Sequence, residues 1–154
     1  MQIISAHKNT DFDALASLVA ASMLYPGALA LLPSSVNQNV RSFLSLHKDI
    51  FQFHSVKDLD LTAVYRLVVV DANRWVRLEG LGSLMKRNDI EVHIWDHHPE
   101  IGDITPSWSC QDTLGATTTL LVEALKERGI DFSPICSTLF LAGIYEDTGH
   151  LTFP

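Results

Sequence analysis

Apolar and polar positions fall in blocks along the chain, and the blocks change period as they go. Residues 2–6, "QIISA", are a short apolar run closed by polar residues, which predicts a strand. Residues 13–25, "DALASLVAASMLY", carry Ala and Leu at helical spacing and stop before Pro26-Gly27, a pair that breaks helices. Residues 28–32 predict a second strand. Residues 34–49 predict a helix with Val36, Val40, Phe43, Leu44 and Leu46 near one face. Residues 65–73, "YRLVVVDAN", hold a continuous β-branched run, the pattern of a strand buried on both faces. A short, glycine-interrupted helix is expected over 78–88 and a buried strand over 90–95. A helix over 115–129 ends in basic residues and Gly, both good C-terminal signals. The last helix, 133–149, opens with Ser133-Pro134, a cap and first-turn pair, and is apolar enough to be largely buried.

Strands alternating with helices predict an α/β domain: a mostly parallel sheet with helices on both faces. Ligands of such sheets bind beyond the carboxyl ends of the strands. Three polar motifs sit at those ends. "HKNTDFD" follows the first strand and brings His7, Asp11 and Asp13. Asp71 follows "RLVVV", and Asp96-His97-His98 follow "EVHIW". Asp147, in "YEDTG" near the end of the last helix, is a fourth contributor.

Histidine nitrogens and aspartate oxygens without a thiolate suit Mn²⁺, Mg²⁺, Co²⁺ or Zn²⁺ rather than an iron–sulfur cluster or a closed structural zinc. His7, Asp11, Asp13, Asp71, His97 and Asp147 are more ligands than one ion needs, and enough for two if one carboxylate bridges. Two ions ~3.5–4 Å apart form the usual clamp for phosphoester hydrolysis. Each motif also has a plain structural reading. Asp11 or Asp13 suits a helix cap, Asp71 a turn, and Asp-His-His a solvated loop. Four such motifs in this order, three of them at strand ends, favour the metal site. His47, His54 and His93 read as structural, and the sequence does not assign His150.

Composition narrows the picture only a little. A length of 154 residues suits one domain, and 47% hydrophobic with 19% charged residues is ordinary for a globular chain. The net charge of −7 argues against a broad basic surface for nucleic acid, though not against an anionic substrate held through metals. Nothing approaches the ~18–20 apolar residues of a membrane span. The start lacks a signal-peptide pattern, and the two cysteines have no CxxC spacing, so a cytoplasmic protein without a disulfide framework is expected.

"HKNTDFDALAS", "VVVDAN", "IWDHHPE" and "YEDTG" resemble the four motifs of the DHH phosphoesterase superfamily, in order and spacing, over nearly the whole chain. The resemblance implies two bound ions, Mn²⁺ first, with Mg²⁺ or Co²⁺ as alternatives. One would take His7, Asp11 and Asp71, and the other Asp13, Asp71, His97 and Asp147, with Asp71 bridging. His98 would face the phosphate, and Asp96 would orient His97 or its neighbour from behind. The first motif lacks the Pro and Gly common around its first Asp. It looks closer to the DHH domain that opens some bacterial poly(A) polymerase or tRNA nucleotidyltransferase fusions, which also carry CBS domains. The expectation is a catalytic domain over 1–154, belonging to a longer chain whose C-terminal domains close over the site. The implied function is a phosphodiesterase acting on a short oligonucleotide or nucleotide phosphoester. Pyrophosphate hydrolysis is the alternative enzyme, and a non-catalytic nucleotide- or RNA-binding module the alternative class.

Overall fold

The computed structural model describes residues 1–47 and 49–153. Five strands form one parallel sheet: β1 (Gln2–Ser5), β2 (Leu29–Leu31), β3 (Arg66–Val70), β4 (Glu91–Asp96) and β5 (Trp108–Gln111), in the order β2-β1-β3-β4-β5. Four α-helices accompany it: α1 (Phe12–Leu24), α2 (Gln38–His47), α3 (Thr117–Glu127) and α4 (Pro134–Asp147). The α/β class and the parallel sheet are as the sequence predicts.

The helical cover is uneven. Ile4, Val68, Val70 and Trp95 face a layer made by α1, α3 and α4, with α2 alongside through Val40. Ile3, Leu67, Val69, Val92 and Ile94 face the other way. There the cover is a set of loops and single 3-10 turns, including Trp75–Arg77 and Leu84–Lys86, where a helix over 78–88 was expected. Leu78, Leu81 and Leu84 do face the core. A spacing of three residues suits a 3-10 turn as well as an α-helix, which is why the pattern misleads.

One helix start also shifts. The helix expected from residue 34 begins at Gln38, because the Asn37 side chain accepts from the Val40 N–H at 2.8 Å and caps it there. Its expected residue 48 lies outside the described residues, as does residue 154. Strand β5 carries no sequence signal, since "WSCQ" is short, mostly exposed and paired on one edge only.

The topology fixes where a site can form. The chain leaves β1 for β2 on one side and returns to β3 on the other, so a crevice opens beyond the ends of β1 and β3. Burying a leucine or isoleucine contributes roughly 1.5–3 kcal/mol. The apolar strand interiors therefore hold the register, and the residues just beyond them are free to be polar. Helix α4 reaches this edge by packing closely on α1. A Cβ at Gly143 would stand 3.0 Å from the Phe12 carbonyl oxygen, 3.0 Å from Thr118 Oγ1 and 3.1 Å from Ala16 Cβ.

Candidate metal centre

His7 lies two residues beyond β1 and is buried. Its Nδ1 donates to the Lys8 carbonyl at 2.8 Å, and a carbonyl only accepts, so Nδ1 keeps its hydrogen. Nε2 is left facing Asp71 Oδ2 at 3.2 Å and Asp11 Oδ2 at 3.5 Å. His97 repeats the arrangement. Its Nδ1 donates to the Leu114 carbonyl at 2.9 Å, and Nε2 stands 3.0 Å from Asp147 Oδ2 and 3.6 Å from Asp71 Oδ1. Orienting a ligand histidine through its other ring nitrogen is a common device of metal sites.

Asp71 joins the two histidines. It follows β3 directly, its backbone is left-handed with φ of 55°, and its carboxylate turns one oxygen to His7 and the other to His97. Left-handed backbone is uncommon outside glycine, and aspartate is among the residues that tolerate it. The Thr117 hydroxyl donates to Asp71 Oδ1 at 3.0 Å.

Asp11 and Asp13 each cap a helix as well. Asp11 is the N-cap of α1, where Oδ1 accepts from the Ala14 N–H at 3.0 Å. Asp13 accepts from the Thr117 and Thr118 N–H groups at 2.8 and 2.9 Å, and so caps α3, whose own N-cap residue is Ala116. Those amides would otherwise lack partners. The structural and site readings of these two aspartates therefore coexist.

Three sets of donor atoms each lie within 4.8 Å of one another: His7, Asp11 and Asp71; Asp13, His97 and Asp147; and Asp71, His97 and His98. All six expected ligands thus converge on one edge of the sheet. His98 is near the cluster, but its Nδ1 is held by Asp96 Oδ1 at 2.7 Å against 3.8 Å to Asp71 Oδ1. Asp96 therefore addresses His98, not His97. His150 is exposed beside Tyr145 and belongs to none of the three sets. His93 hydrogen-bonds Tyr25, and His54 lies beside Leu31.

The buried carboxylates favour positive charge beside them. Asp13 and Asp71 are 1% and 3% exposed, and among the described residues neither pairs with lysine or arginine. Without a metal, protons take that place. Burial pulls His7 down, but the bonds from Asp11 and Asp71 outweigh it and hold its pKa up to about 10. His97 stands at about 9 for the same reasons, with Asp147 its main support against burial. Burial, reinforced by the charge of Asp71, pushes Asp13 well above the usual carboxylate range. Burial opposes ionisation of Asp11, yet its bonds to His7 and to the Ala14 N–H hold it low. A nitrogen and oxygen donor set with excess carboxylate fits divalent cations of the Mn²⁺ or Mg²⁺ kind.

Several residues of the site escape the sequence. Asn73 Nδ2 donates to Asp96 Oδ2 at 2.8 Å and to the Glu100 carbonyl at 2.8 Å, so it fixes the carboxylate behind His98. The loop sits so close that a Cβ at Gly102 would fall 1.8 Å from the Asn73 carbonyl oxygen. Thr117 and Thr118 act partly through backbone N–H groups, which leave no residue-type signature. Glu146 accepts from the Phe12 N–H at 2.6 Å, tying the start of α1 to the end of α4. A cleft of about 510 Å³ lies elsewhere, beside Met23, Phe51, Phe53 and Cys136, and contains none of the donor sets.

Known proteins resemble the chain over its whole length. The chain is 42% identical, over its whole length, to an A-adding tRNA nucleotidyltransferase from Geobacter sulfurreducens, of which it spans 18%. It is 26% identical over its whole length to a protein of Deinococcus radiodurans described as a probable manganese-dependent inorganic pyrophosphatase, and spans 49% of it. The crystal structure of an exopolyphosphatase-related protein from Bacteroides fragilis shares the fold, with a TM-score of 0.77 and 17% identity over 98% of this chain and 47% of that one. No described helix is long and apolar enough to cross a membrane. Residues 2–144 match the DHH family, N-terminal domain, and the chain belongs to that family.

Proposed function

We propose that this domain is a two-metal phosphodiesterase acting on a short oligonucleotide or nucleotide phosphoester. The carrying observation is Asp71, whose two carboxylate oxygens face two separate donor sets. His7 and Asp11 would hold one ion with it, and Asp13, His97 and Asp147 the other. When bound, two such ions clamp phosphoryl oxygens and make a water nucleophilic near neutral pH. Mn²⁺ is the ion we assign first, in keeping with the donor set and the manganese-dependent relative.

The chain's own groups do the rest. The Lys8 and Leu114 carbonyls fix the two ligand histidines. Asp13 is held by the α3 amides, and Asp71 by Thr117. His98 is 35% exposed, and the hydrogen bond it donates to Asp96 raises its pKa against the pull of burial. With Nδ1 donating to Asp96, Nε2 is the ring atom free to meet a phosphoryl oxygen or a leaving alkoxide. Asn73 and Asp96 position that imidazole. We take the domain to be the metal-bearing unit of a longer protein, as its 18% share of the nucleotidyltransferase suggests.

The test joins metal calorimetry to turnover. Mn²⁺ titration is expected to give two sites, with Asp71→Asn weakening both and Asp13→Asn mainly one. Cleavage of a short oligoribonucleotide and of bis(p-nitrophenyl) phosphate should depend on Mn²⁺. His98→Ala should lower the rate and leave the metals bound. A stoichiometry of zero, or an unaffected Asp71→Asn, overturns the two-ion reading. Faster hydrolysis of pyrophosphate, run in parallel, moves the function to that substrate. Metal binding without turnover of any of the three leaves a nucleotide-binding module.

A further inference from the structure

Past His98 the chain runs through a loop, residues 99–107, before it enters β5. Asn73 holds that loop. Its Nδ2 donates to the Glu100 carbonyl at 2.8 Å, and its carbonyl accepts from the Ile104 N–H at 3.2 Å. Asp103 adds a further tie, accepting from the Trp75 N–H at 2.7 Å. The segment beyond β5 is held from the other side. The Asp112 N–H donates to the Asp96 carbonyl at 3.4 Å. Leu114, whose N–H donates to the Asp112 carbonyl at 2.9 Å, supplies the carbonyl that anchors His97. Both segments therefore hang on residues that also order the donor cluster and His98.

Between the two segments lies a cavity of about 320 Å³, which His98 also lines. Pro99, Ile101, Ile104 and Pro106 give it apolar lining from the loop. Ile101 is 95% exposed, an apolar side chain left in water by a loop that is otherwise tied down. Gln111, Asp112 and Thr113, all exposed, line it from the β5 side. No lysine or arginine lines it among the described residues, while Glu100 and Asp112 do. The cavity therefore repels a phosphate. It suits a flat, neutral group that has apolar faces and hydrogen-bond donors on its edge.

Small-molecule sites combine apolar walls with a few polar groups that fix orientation, and a volume near 300 Å³ is at the small end of their range. A nucleobase meets that description. We propose that this cavity receives the base of the nucleotide beside His98 and that Asp112 selects among bases. The inference rests on the phosphoesterase reading and refines its substrate class. A carboxylate accepts two parallel hydrogen bonds, and guanine offers two adjacent donors, the ring N1–H and the N2 amino group. Adenine and cytosine offer an amino group next to a ring nitrogen that only accepts. Uracil offers one N–H between two carbonyl oxygens, which a carboxylate repels. The expected order is guanine first, adenine and cytosine next, uracil last. Ile101 covers the face of whichever base enters, so it acts on affinity rather than on selection.

The test is equilibrium binding, by calorimetry in Mn²⁺, of dinucleotides that carry the same base on both sides of a phosphorothioate linkage. The linkage keeps turnover from interfering, and the repeated base removes any question of which side enters. Guanine, inosine, adenine, cytosine and uracil forms are compared with an abasic one. Wild type should prefer the guanine form to the uracil form by roughly ten- to hundred-fold, the range of hydrogen bonds to a charged group. The inosine form, which keeps N1–H and lacks the amino group, should fall between them. Asp112→Asn should bring the guanine-to-uracil ratio close to one. Ile101→Ser should weaken every base against the abasic form and keep their order. Arg41→Ala, an exposed change on α2, should alter neither. Melting curves for the variants should match wild type. Equal affinity for all the bases, no gain over the abasic form, or an undiminished ratio in Asp112→Asn overturns the proposal. Failure of the phosphoesterase reading would show separately, as absent Mn²⁺-dependent cleavage of the oxygen-linked dinucleotides, whatever the binding ratio.

Discussion

His7 and Asp11 sit four residues apart on one turn between β1 and α1, whereas Asp13, His97 and Asp147 meet from three distant segments. The first set is local. Asp11 caps its own helix, and His7 is anchored on the next residue's carbonyl. The second depends on packing. Asp13 must meet the amides of α3, and Asp147 arrives only because Gly143 lets α4 lie against α1. Two halves of equal chemistry thus differ in what can disturb them. Local changes act on the first, and helix packing acts on the second.

On the proposed two-ion reading, Asp71→Asn should erase the distinction, because its two carboxylate oxygens face both donor sets. Activity should fall by at least about 10³-fold, since charge at the reacting centre is the largest catalytic contribution. Gly143→Val sharpens the comparison instead. Added bulk in a filled contact costs about 1–3 kcal/mol, and the 3.0 Å clearance leaves no room for it. Urea unfolding should report that loss, while Mn²⁺ titration should show one site weakened more than the other. Equal weakening of both would mean the halves are not separable.

Asn73→Ala acts beside both sets. It removes the donor that fixes Asp96 and should lower kcat by about 10–100-fold, the usual range for a residue that orients others, with metal stoichiometry unchanged. A matching loss of bound metal would instead make Asn73 part of the metal-holding structure.

The smallest expected effect is on pH dependence. Folding raises His7 to about 10 and His97 to about 9 from 6.5. A base raised in the fold stabilises it below the unfolded pKa, and that contribution is lost as pH climbs through the folded value. Asp13 works in the same direction, because its carboxyl ionises at lower pH unfolded than folded, so unfolding releases a proton and is favoured as pH rises. The metal-free domain should therefore melt lower from about pH 6.5 to 10. Mn²⁺ competes with the same protons, so its protection should grow over that window. Melting curves in chelator and in Mn²⁺ decide it, and a metal-free midpoint that rises with pH would contradict the assignment.

What the sequence disclosed, and what it hid, follows from how each feature is encoded. His7, Asp71 and His97 are polar residues directly after apolar runs, and a parallel sheet gathers such ends by its topology. Their convergence was legible without coordinates. Asn73 and the threonines of α3 were not, because they work through backbone groups or a single amide whose partner is far away in the chain. Strand β5 and the turns covering the second face lack periodicity of their own and take their shape from neighbours.

The left-handed backbone at Asp71 narrows what this position can become. Glutamate would keep the charge, but its longer arm would move the carboxylate and it adopts that conformation less readily. Asparagine shares the tolerance for the turn and lacks the charge. Glycine fits the turn and offers no ligand. Aspartate alone meets both demands, so a search for replacements here should return either inactive proteins that fold or poorly folding ones that keep a carboxylate. A functional substitute would have to come with a redrawn loop.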